Sequence, residues 1–360
     1  MTAMVGAKDK VIVAMSGGVD SAVAAGLLLK EGYDVTGVFM CLGAAAGPDG
    51  ASRGCCTPQD ADDARRAAQT LGIRLYVLDL ADAFAPVIDN FVAEYVRGRT
   101  PNPCIHCNSL IKFGHLVRRA DALGVRHVAT GHHARIVSGA AGPCIGRAAE
   151  RQKDQSYALF GIDRSVLGRI LLPVGDLGGK DRVRQLARNL GLALHDKPDS
   201  QEVCFVPDDD YTQLLRTRAP EALREGQIVN QNGQVVGTHR GYARYTIGQR
   251  RGLGVAAAEP MYVTAIDPAD ARVTIGPRAC LMSDRLTASR ANWHAETPRA
   301  FDATVQVRYN HGGAEARVTL TGPETFEVRF AEPVNAITPG QAAVVYDRRN
   351  ETLLGGGWID

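Results

Sequence analysis

Residues 11–23 read VIVAMSGGVDSAV. Val11-Ile12-Val13 is a β-branched run suited to a buried strand, and Ser21 to Ala25, followed by Leu27, Leu28 and Leu29, suits a helix packed on it. The turn between them is Ser16-Gly17-Gly18-Val19-Asp20-Ser21. Paired glycines let the backbone take positive φ and approach a ligand closely. The serine hydroxyls add donors to the unpaired N–H groups of a helix start, which attract anions. The stretch therefore reads as a phosphate cradle opening an α/β unit. It is not a Walker loop, and neither is the nearest candidate, Gly178-Gly179-Lys180-Asp181, which has an acid where that motif needs Ser or Thr and the wrong glycine spacing.

Strand-like segments at residues 11–15, 34–40, 74–79 and 126–130 alternate with helix-like segments at 58–71, 108–123 and 181–190, which Gly72, Gly124 and Gly191 stop. This alternation predicts a doubly wound parallel sheet with its ligand beyond the carboxyl ends of the strands, where the glycine turn falls. Residues 42–53, rich in Gly and Ala, read as a loop. From Gly226 onward short alternating segments are separated by turn signals such as Asn232-Gly233, Asp267-Pro268, Gly276-Pro277, Gly312-Gly313 and Pro339-Gly340. The expected organisation is an α/β nucleotide-binding catalytic domain at 1–205, a small central β-rich domain at 206–284 and a C-terminal β-barrel at 285–360.

Composition narrows the class. The 360 residues suffice for two or three domains, and 41 Lys plus Arg against 39 Asp plus Glu mean that any nucleic-acid surface is local rather than global. The N-terminus lacks the hydrophobic core of a signal peptide and no apolar run reaches membrane-spanning length, so a cytoplasmic protein with no membrane partner is expected. Eight cysteines point to catalysis, metal or sulfur chemistry rather than to a disulfide framework. Two stand out. Residues 100–108 read TPNPCIHCN, a proline-spaced loop that puts Cys107 at the start of the expected helix, where the dipole favours the thiolate. Cys204 lies in the polar, turn-like stretch DSQEVCF at 199–205. Between Gly237 and Gly254, His239, Arg240, Arg244, Arg250 and Arg251 are interleaved with Tyr242 and Tyr245 and no acid intervenes. That stripe suits RNA phosphates and base stacking, and equally a solvated basic hairpin.

The glycine turn resembles the PP-loop, SGGxDS, of the ATP pyrophosphatases, which split ATP between its α and β phosphates. Alone it is compatible with amide ligation, sulfate reduction or base modification. Further motifs occur in order along the chain: Cys55-Cys56 before a helix, PNPxxxCN, ATGHxAR, KDQSY, DSQEVCF, YTIGQRRGLG, VRY, PGQAAVVYD and LGGGWI. Together they resemble the tRNA-specific 2-thiouridylases of the MnmA family almost end to end. The resemblance implies ATP-dependent 2-thiolation of a tRNA wobble uridine, with ATP held by Ala14, Met15, Ser16, Gly17, Gly18, Val19, Asp20, Ser21, Met40 and Gly131. It implies that Cys107 is the nucleophile and Cys204 the carrier of a persulfide, the two joining in a transient disulfide. It places Asn102, Pro103 and Cys104 at the target base, and His132, Lys153, Asp154, Gln155, Ser156, Arg250, Arg251, Arg308, Tyr309 and Gln341 on tRNA. A cysteine desulfurase or sulfur-relay protein is the implied persulfide donor, and Asp20 is the natural Mg²⁺ partner of a bound triphosphate.

Cys104 stands where many family members have Asp, and His133 where Tyr is usual. With Cys104, Cys107 and Cys204 the site offers three thiols, the ligand set of a [4Fe–4S] cluster with one open iron position. A persulfide pair, such a cluster, a PP-loop ligase acting on another group and a non-catalytic RNA-binding protein are the readings open at this point. The remaining cysteines, Cys41, Cys55, Cys56, Cys144 and Cys280, read as structural. Charge reversal at Arg250 and Arg251 is expected to weaken tRNA binding at fixed salt by about tenfold or more; an unchanged affinity removes these arginines from the interface.

Overall fold

The computed structural model describes residues 9–43, 45–46, 52–53, 57–139, 142–197, 203–206 and 210–360. Cys55-Cys56 lies outside the described residues. Two compact units divide the rest, one drawn from residues 1–85, 104–209 and 351–353, the other from 86–103, 210–350 and 354–360.

The first unit is built on β1 (Lys10–Ala14), α1 (Val19–Lys30), β2 (Asp34–Cys41), α2 (Pro58–Leu71) and β3 (Arg74–Asp79). Further along come β4 (His127–Ala129), the hairpin of β5 (Ala134–Gly139) and β6 (Gly142–Arg147), β7 (Ile170–Leu171) and α3 (Lys180–Asn189). Five strands pair in parallel in the order β3-β2-β1-β4-β7. Alternation along β1 shows why the sheet is covered on both faces. Val11, Val13 and Met15 pack with Val23 and Leu28 of α1, Ala64 and Ala67 of α2 and Val183 of α3, while Ile12 and Ala14 pack with Leu116, Val117 and Ala120. The chain runs outward to one side through β2 and β3, then returns to place β4 on the other side of β1. The switch point is thus the gap between the carboxyl ends of β1 and β4, where ligands of such sheets bind.

The helix expected at 108–123 starts earlier. It runs as α-helix over Pro103–His106, as π-helix over Cys107–His115 and as α-helix again over Leu116–Ala122. Proline suits the first helical position, since its φ is preset and its missing N–H would be unpaired there. Cys107 therefore sits in the second turn, not at the helix start, and Cys104 occupies the first. Residues 42–53 are not wholly a loop, because Ala45–Ala46 pairs with Ser52–Arg53.

In the second unit a four-stranded sheet is made by β8 (Gly226–Val229), β9 (Val235–His239), β10 (Met261–Asp267) and β11 (Arg272–Pro277), in the order β9-β8-β11-β10. A closed barrel follows, from β12 (Met282–Trp293), β13 (Ala300–Gln306), β14 (Ala314–Gly322), β15 (Thr325–Asn335), β16 (Ala342–Tyr346) and β17 (Leu353–Ile359). Val305, Val318, Phe326, Val328, Phe330 and Val345 fill it. No described helix is long and apolar enough to cross a membrane.

The expected RNA stripe is split by this fold. His239, Tyr242 and Tyr245 are buried, so they offer no stacking surface. The Gly241 N–H donates to His239 Nδ1 at 3.1 Å, which leaves Nε2 to donate to the Ala271 carbonyl at 2.9 Å. Burial holds this imidazole's pKa below its ordinary value, offset in part by the Ala271 bond. Tyr242 donates its hydroxyl to Val96 O at 2.8 Å. Arg240, Arg250 and Arg251 remain exposed.

Candidate functional site

Between β1 and α1 the loop Ser16 to Ser21 holds its shape through its own serines. Ser16 N–H donates to Ser21 Oγ at 3.2 Å, the two hydroxyls lie 3.4 Å apart, and Ser21 Oγ donates to Gly18 O at 3.0 Å. Gly17 has φ +75°, and a Cβ there would lie 2.3 Å from Asp60 O, so the loop backbone rests directly on the first turn of α2. That turn is fixed by a capping box in which Thr57 Oγ1 accepts from Asp60 N and Thr57 N donates to Asp60 Oδ2. On the other side, a Cβ on Gly131 would lie 2.5 Å from Ser21 N and 2.6 Å from Asp20 C. Gly131, just past β4, closes the switch point against the loop. Met40, next to last in β2, is half-buried and packed with the Ile12 and Leu116 side of the core.

Three charged or polar side chains from distant sequence converge here. Lys180 Nζ contacts both oxygens of Asp20, at 2.8 and 3.0 Å, and His133 Nε2 lies 3.3 Å from Oδ1. Burial works against the charge on Asp20, but the bonds from His133 and Lys180 outweigh it and hold its carboxyl below the ordinary range. Lys197 Nζ donates to Gly17 O at 3.0 Å, Asp60 Oδ1 at 2.8 Å and Asp63 Oδ2 at 2.7 Å. Burial would lower the Lys197 pKa, and the two carboxylates more than reverse this. Lys180, which belongs to no Walker loop, nevertheless reaches the phosphate loop from the first position of α3, behind Gly178 and Gly179 at positive φ. Lys197 carried no local signal, and His133 showed only as a departure from the usual Tyr.

His132 Nδ1 pairs with Thr130 Oγ1 at 2.8 Å, and its ring lies 6.0 Å from that of Phe113 on the π-helical segment. Burial first, then the charge of Lys112, drives its pKa well below the ordinary histidine value, so it is neutral at physiological pH. Lys112 also bears on Cys104, whose side chain reaches solvent although the protein crowded around it raises its thiol pKa, an effect that the lysine offsets in part. Cys107, one turn further, is buried, and Cys204 is half-exposed. Beside it Phe205 packs edge-to-face on Phe84 at 5.6 Å. Asn102 is half-buried and Pro103 buried, while Asn108 donates to Ala158 O at 3.0 Å.

Of the KDQS motif, Lys153 is exposed, whereas Asp154 and Ser156 belong to a buried network. Asp154 pairs with Arg147 at 2.7 Å and accepts from Ala148 N and Ser156 Oγ. Gln155 accepts from His133 N at 2.9 Å and so steadies the histidine beside Asp20. In the second unit Gln306 Nε2 donates to the carbonyls of Arg308 and Tyr309, presenting an exposed Tyr309, and Arg308 donates to Asn335 O. Gln341 Nε2 donates to the carbonyls of Thr100 and Pro101, at 3.0 and 3.2 Å.

The metal readings fare differently from the phosphate site. Both Asp20 oxygens accept from Lys180, and among the described residues no three His, Cys, Asp or Glu side chains are grouped to hold a metal. In this arrangement Asp20 is paired with Lys180, and the three thiols of Cys104, Cys107 and Cys204 are not grouped as a ligand set.

Fold and site define a PP-loop nucleotide-binding α/β protein extended by two β domains. Its residues 9–208 match a family described as the tRNA methyl transferase HUP domain, 212–277 the tRNA methyl transferase PRC-barrel domain and 283–359 the aminomethyltransferase beta-barrel domain. It is 47% identical over 364 residues to a tRNA-specific 2-thiouridylase MnmA of Carboxydothermus hydrogenoformans, covering 98% of each chain. It is 44% identical to that of Rhodopirellula baltica, covering 98% of this chain and 96% of the relative. The chain belongs to the tRNA-specific 2-thiouridylase MnmA family. A solved 4-thiouridine synthetase–RNA complex with bound ATP aligns with 59% of this chain and 51% of its own at 19% identity and a TM-score of 0.36, too slight a likeness to carry argument.

Gly131→Ala is expected to leave the protein folded but to weaken ATP binding by about tenfold or more, since the added methyl displaces the loop. Equilibrium ATP titration checks this against Gly312→Ala, where a Cβ meets nothing within 4 Å; equal affinities in both variants contradict it.

Proposed function

We propose that this protein is an ATP-dependent tRNA sulfurtransferase that converts a wobble uridine to 2-thiouridine. The observation that carries the reading is the loop Ser16 to Ser21, seated at the switch point between Asp60 and Gly131, in a chain that also holds Cys107 and Cys204. Methyl transfer, which two of the family descriptions name, calls for neither an ATP-splitting loop nor a pair of cysteines.

The loop's N–H groups, with the Ser16 and Ser21 hydroxyls, suit the phosphates of ATP, and the Lys180 ammonium stands beside them on Asp20. The uracil C2 oxygen is a poor leaving group. Its attack on the α-phosphorus expels pyrophosphate and leaves AMP on that oxygen, which makes displacement at C2 feasible. Sulfur arrives as the outer atom of a persulfide on Cys204. Either that atom attacks C2, AMP departs with the former base oxygen, and the Cys107 thiolate then attacks Cys204 Sγ to free the thiocarbonyl, or Cys107 first attacks Cys204 Sγ and releases sulfide, which attacks C2. Both routes leave a Cys107–Cys204 disulfide, whose two electrons an external dithiol restores.

His132, neutral and beside Phe113, suits hydrogen bonding near the base rather than charge pairing. Asn102, Pro103 and Cys104 are proposed to meet the base, with Gln341 holding the carbonyls that precede them. Lys153, Arg250, Arg251, Arg308 and Tyr309 are the proposed RNA contacts. Asp154, Gln155 and Ser156 are proposed to act by fixing Lys153 and His133. A cysteine desulfurase or sulfur-relay protein is the proposed donor, in a cytoplasmic setting, and residues 1–205, 206–284 and 285–360 remain the proposed functional domains.

With a persulfide donor, ATP and unmodified tRNA, Cys107→Ser and Cys204→Ser should each reduce thiouridine to background by nucleoside mass spectrometry, while Cys204→Ser still releases pyrophosphate in the first turnover. Thiolated tRNA from either variant overturns the assigned roles.

A further inference from the structure

The sulfur-transfer reading gives the phosphate loop and the Cys204 stretch separate tasks, and one side chain touches the first while standing at the root of the second. Lys197 lies seven positions before Cys204. Its ammonium has three hydrogens and, within 3.0 Å, three acceptors: Gly17 O, Asp60 Oδ1 and Asp63 Oδ2. The lysine side chain is 28% exposed and the carboxylates 19% and 10%, so water competes little for these contacts. On the far side of Cys204 the chain is anchored again, by buried Phe205 against Phe84 and by buried Val206.

The contact with Gly17 O has a geometric consequence for anion binding. In a trans peptide the C=O and the following N–H point in opposite directions. Holding the Gly17 carbonyl on Lys197 therefore turns the Gly18 N–H away from Asp60 and Asp63. At φ +75° and with no Cβ, Gly17 is freer than other residues to flip the peptide that follows it, so a partner on its carbonyl adds a restraint to the packing on Asp60. The two carboxylates meanwhile outnumber the ammonium and hold it on the α2 side.

We propose that Lys197 is a positioning residue, a strut that fixes the Gly17–Gly18 peptide for phosphate binding and ties the root of the Cys204 stretch to the same loop, so that base activation and sulfur delivery stay coupled. This rests on the sulfur-transfer reading for its second half only. A lysine acting instead as a direct phosphate ligand is the competing role, and Asp63 separates the two. Removing the Asp63 charge loosens a strut and weakens ATP binding, whereas it frees a ligand and strengthens binding.

The test compares Lys197→Met, Lys197→Arg and Asp63→Asn for ATP affinity by equilibrium titration, and for thiouridine formed per pyrophosphate released with tRNA and a persulfide donor. Lys197→Met should weaken ATP binding on the order of tenfold and lower the thiouridine-to-pyrophosphate ratio severalfold below wild type. Lys197→Arg should recover part of both, and Asp63→Asn should move both in the same direction by less. Wild-type affinity and ratio in Lys197→Met, or tighter ATP binding in Asp63→Asn, overturns the strut. If Lys197→Met fails to fold, the sign of the Asp63→Asn change decides. Absence of tRNA-dependent pyrophosphate from the wild type counts against the sulfur-transfer reading, and the ATP affinities still decide the loop half.

Discussion

Two glycines without room for a side chain hold the site together. Gly17 lies against the backbone of Asp60 and Gly131 against that of Asp20 and Ser21, at distances that no Cβ tolerates. Between them the phosphate loop is pressed from α2 on one side and from the end of β4 on the other. A rigid seat is what an anion site made of backbone N–H groups requires, because such donors bind only if they need no reorganisation when the ligand arrives. The sheet order β3-β2-β1-β4-β7 places that seat at the switch point, at the carboxyl ends of the paired strands β1 and β4.

Charge is arranged around this seat in two opposed sets. On one side Asp20 is held ionised by His133 and Lys180, and on the other Lys197 is held protonated by Asp60 and Asp63. Each set brings together elements far apart in sequence, so each also staples the fold: Lys180 and Asp20 are 160 residues apart, Lys197 and Gly17 180. The geometry of the loop and its tertiary anchoring therefore depend on the same contacts. The buried Arg147–Asp154 pair, which supports Gln155 and through it His133, extends this support away from the loop.

Much of this was legible in the chain, for reasons that can be stated residue by residue. The parallel sheet showed because strands such as Val11-Ile12-Val13, covered on both faces, are written as unbroken apolar runs. The phosphate loop showed because its glycines and serines are contiguous. The helix start at Pro103 was missed because the prolines of TPNPC read as a stiff loop, whereas the last of them is a helix-initiating residue. The stacking stripe was misread because His239, Tyr242 and Tyr245 face the interior, and composition does not record direction. Lys197 carried no local pattern, and Lys180 carried only a glycine-lysine pattern that fits no Walker loop. Their roles come entirely from long-range contacts, and rejecting the Walker motif at Gly178-Gly179-Lys180 was right while the lysine still reached the phosphate loop.

The central claim is that ATP acts on the base itself, through the uracil oxygen that sulfur replaces. It is tested most directly with tRNA carrying ¹⁸O at C2 of the target uridine, incubated with the enzyme, ATP and a persulfide donor, followed by mass analysis of the AMP formed. Activation at that oxygen predicts one ¹⁸O in the phosphate of AMP for each thiouridine made. Thiouridine formed with unlabelled AMP, the label passing to water instead, would contradict it.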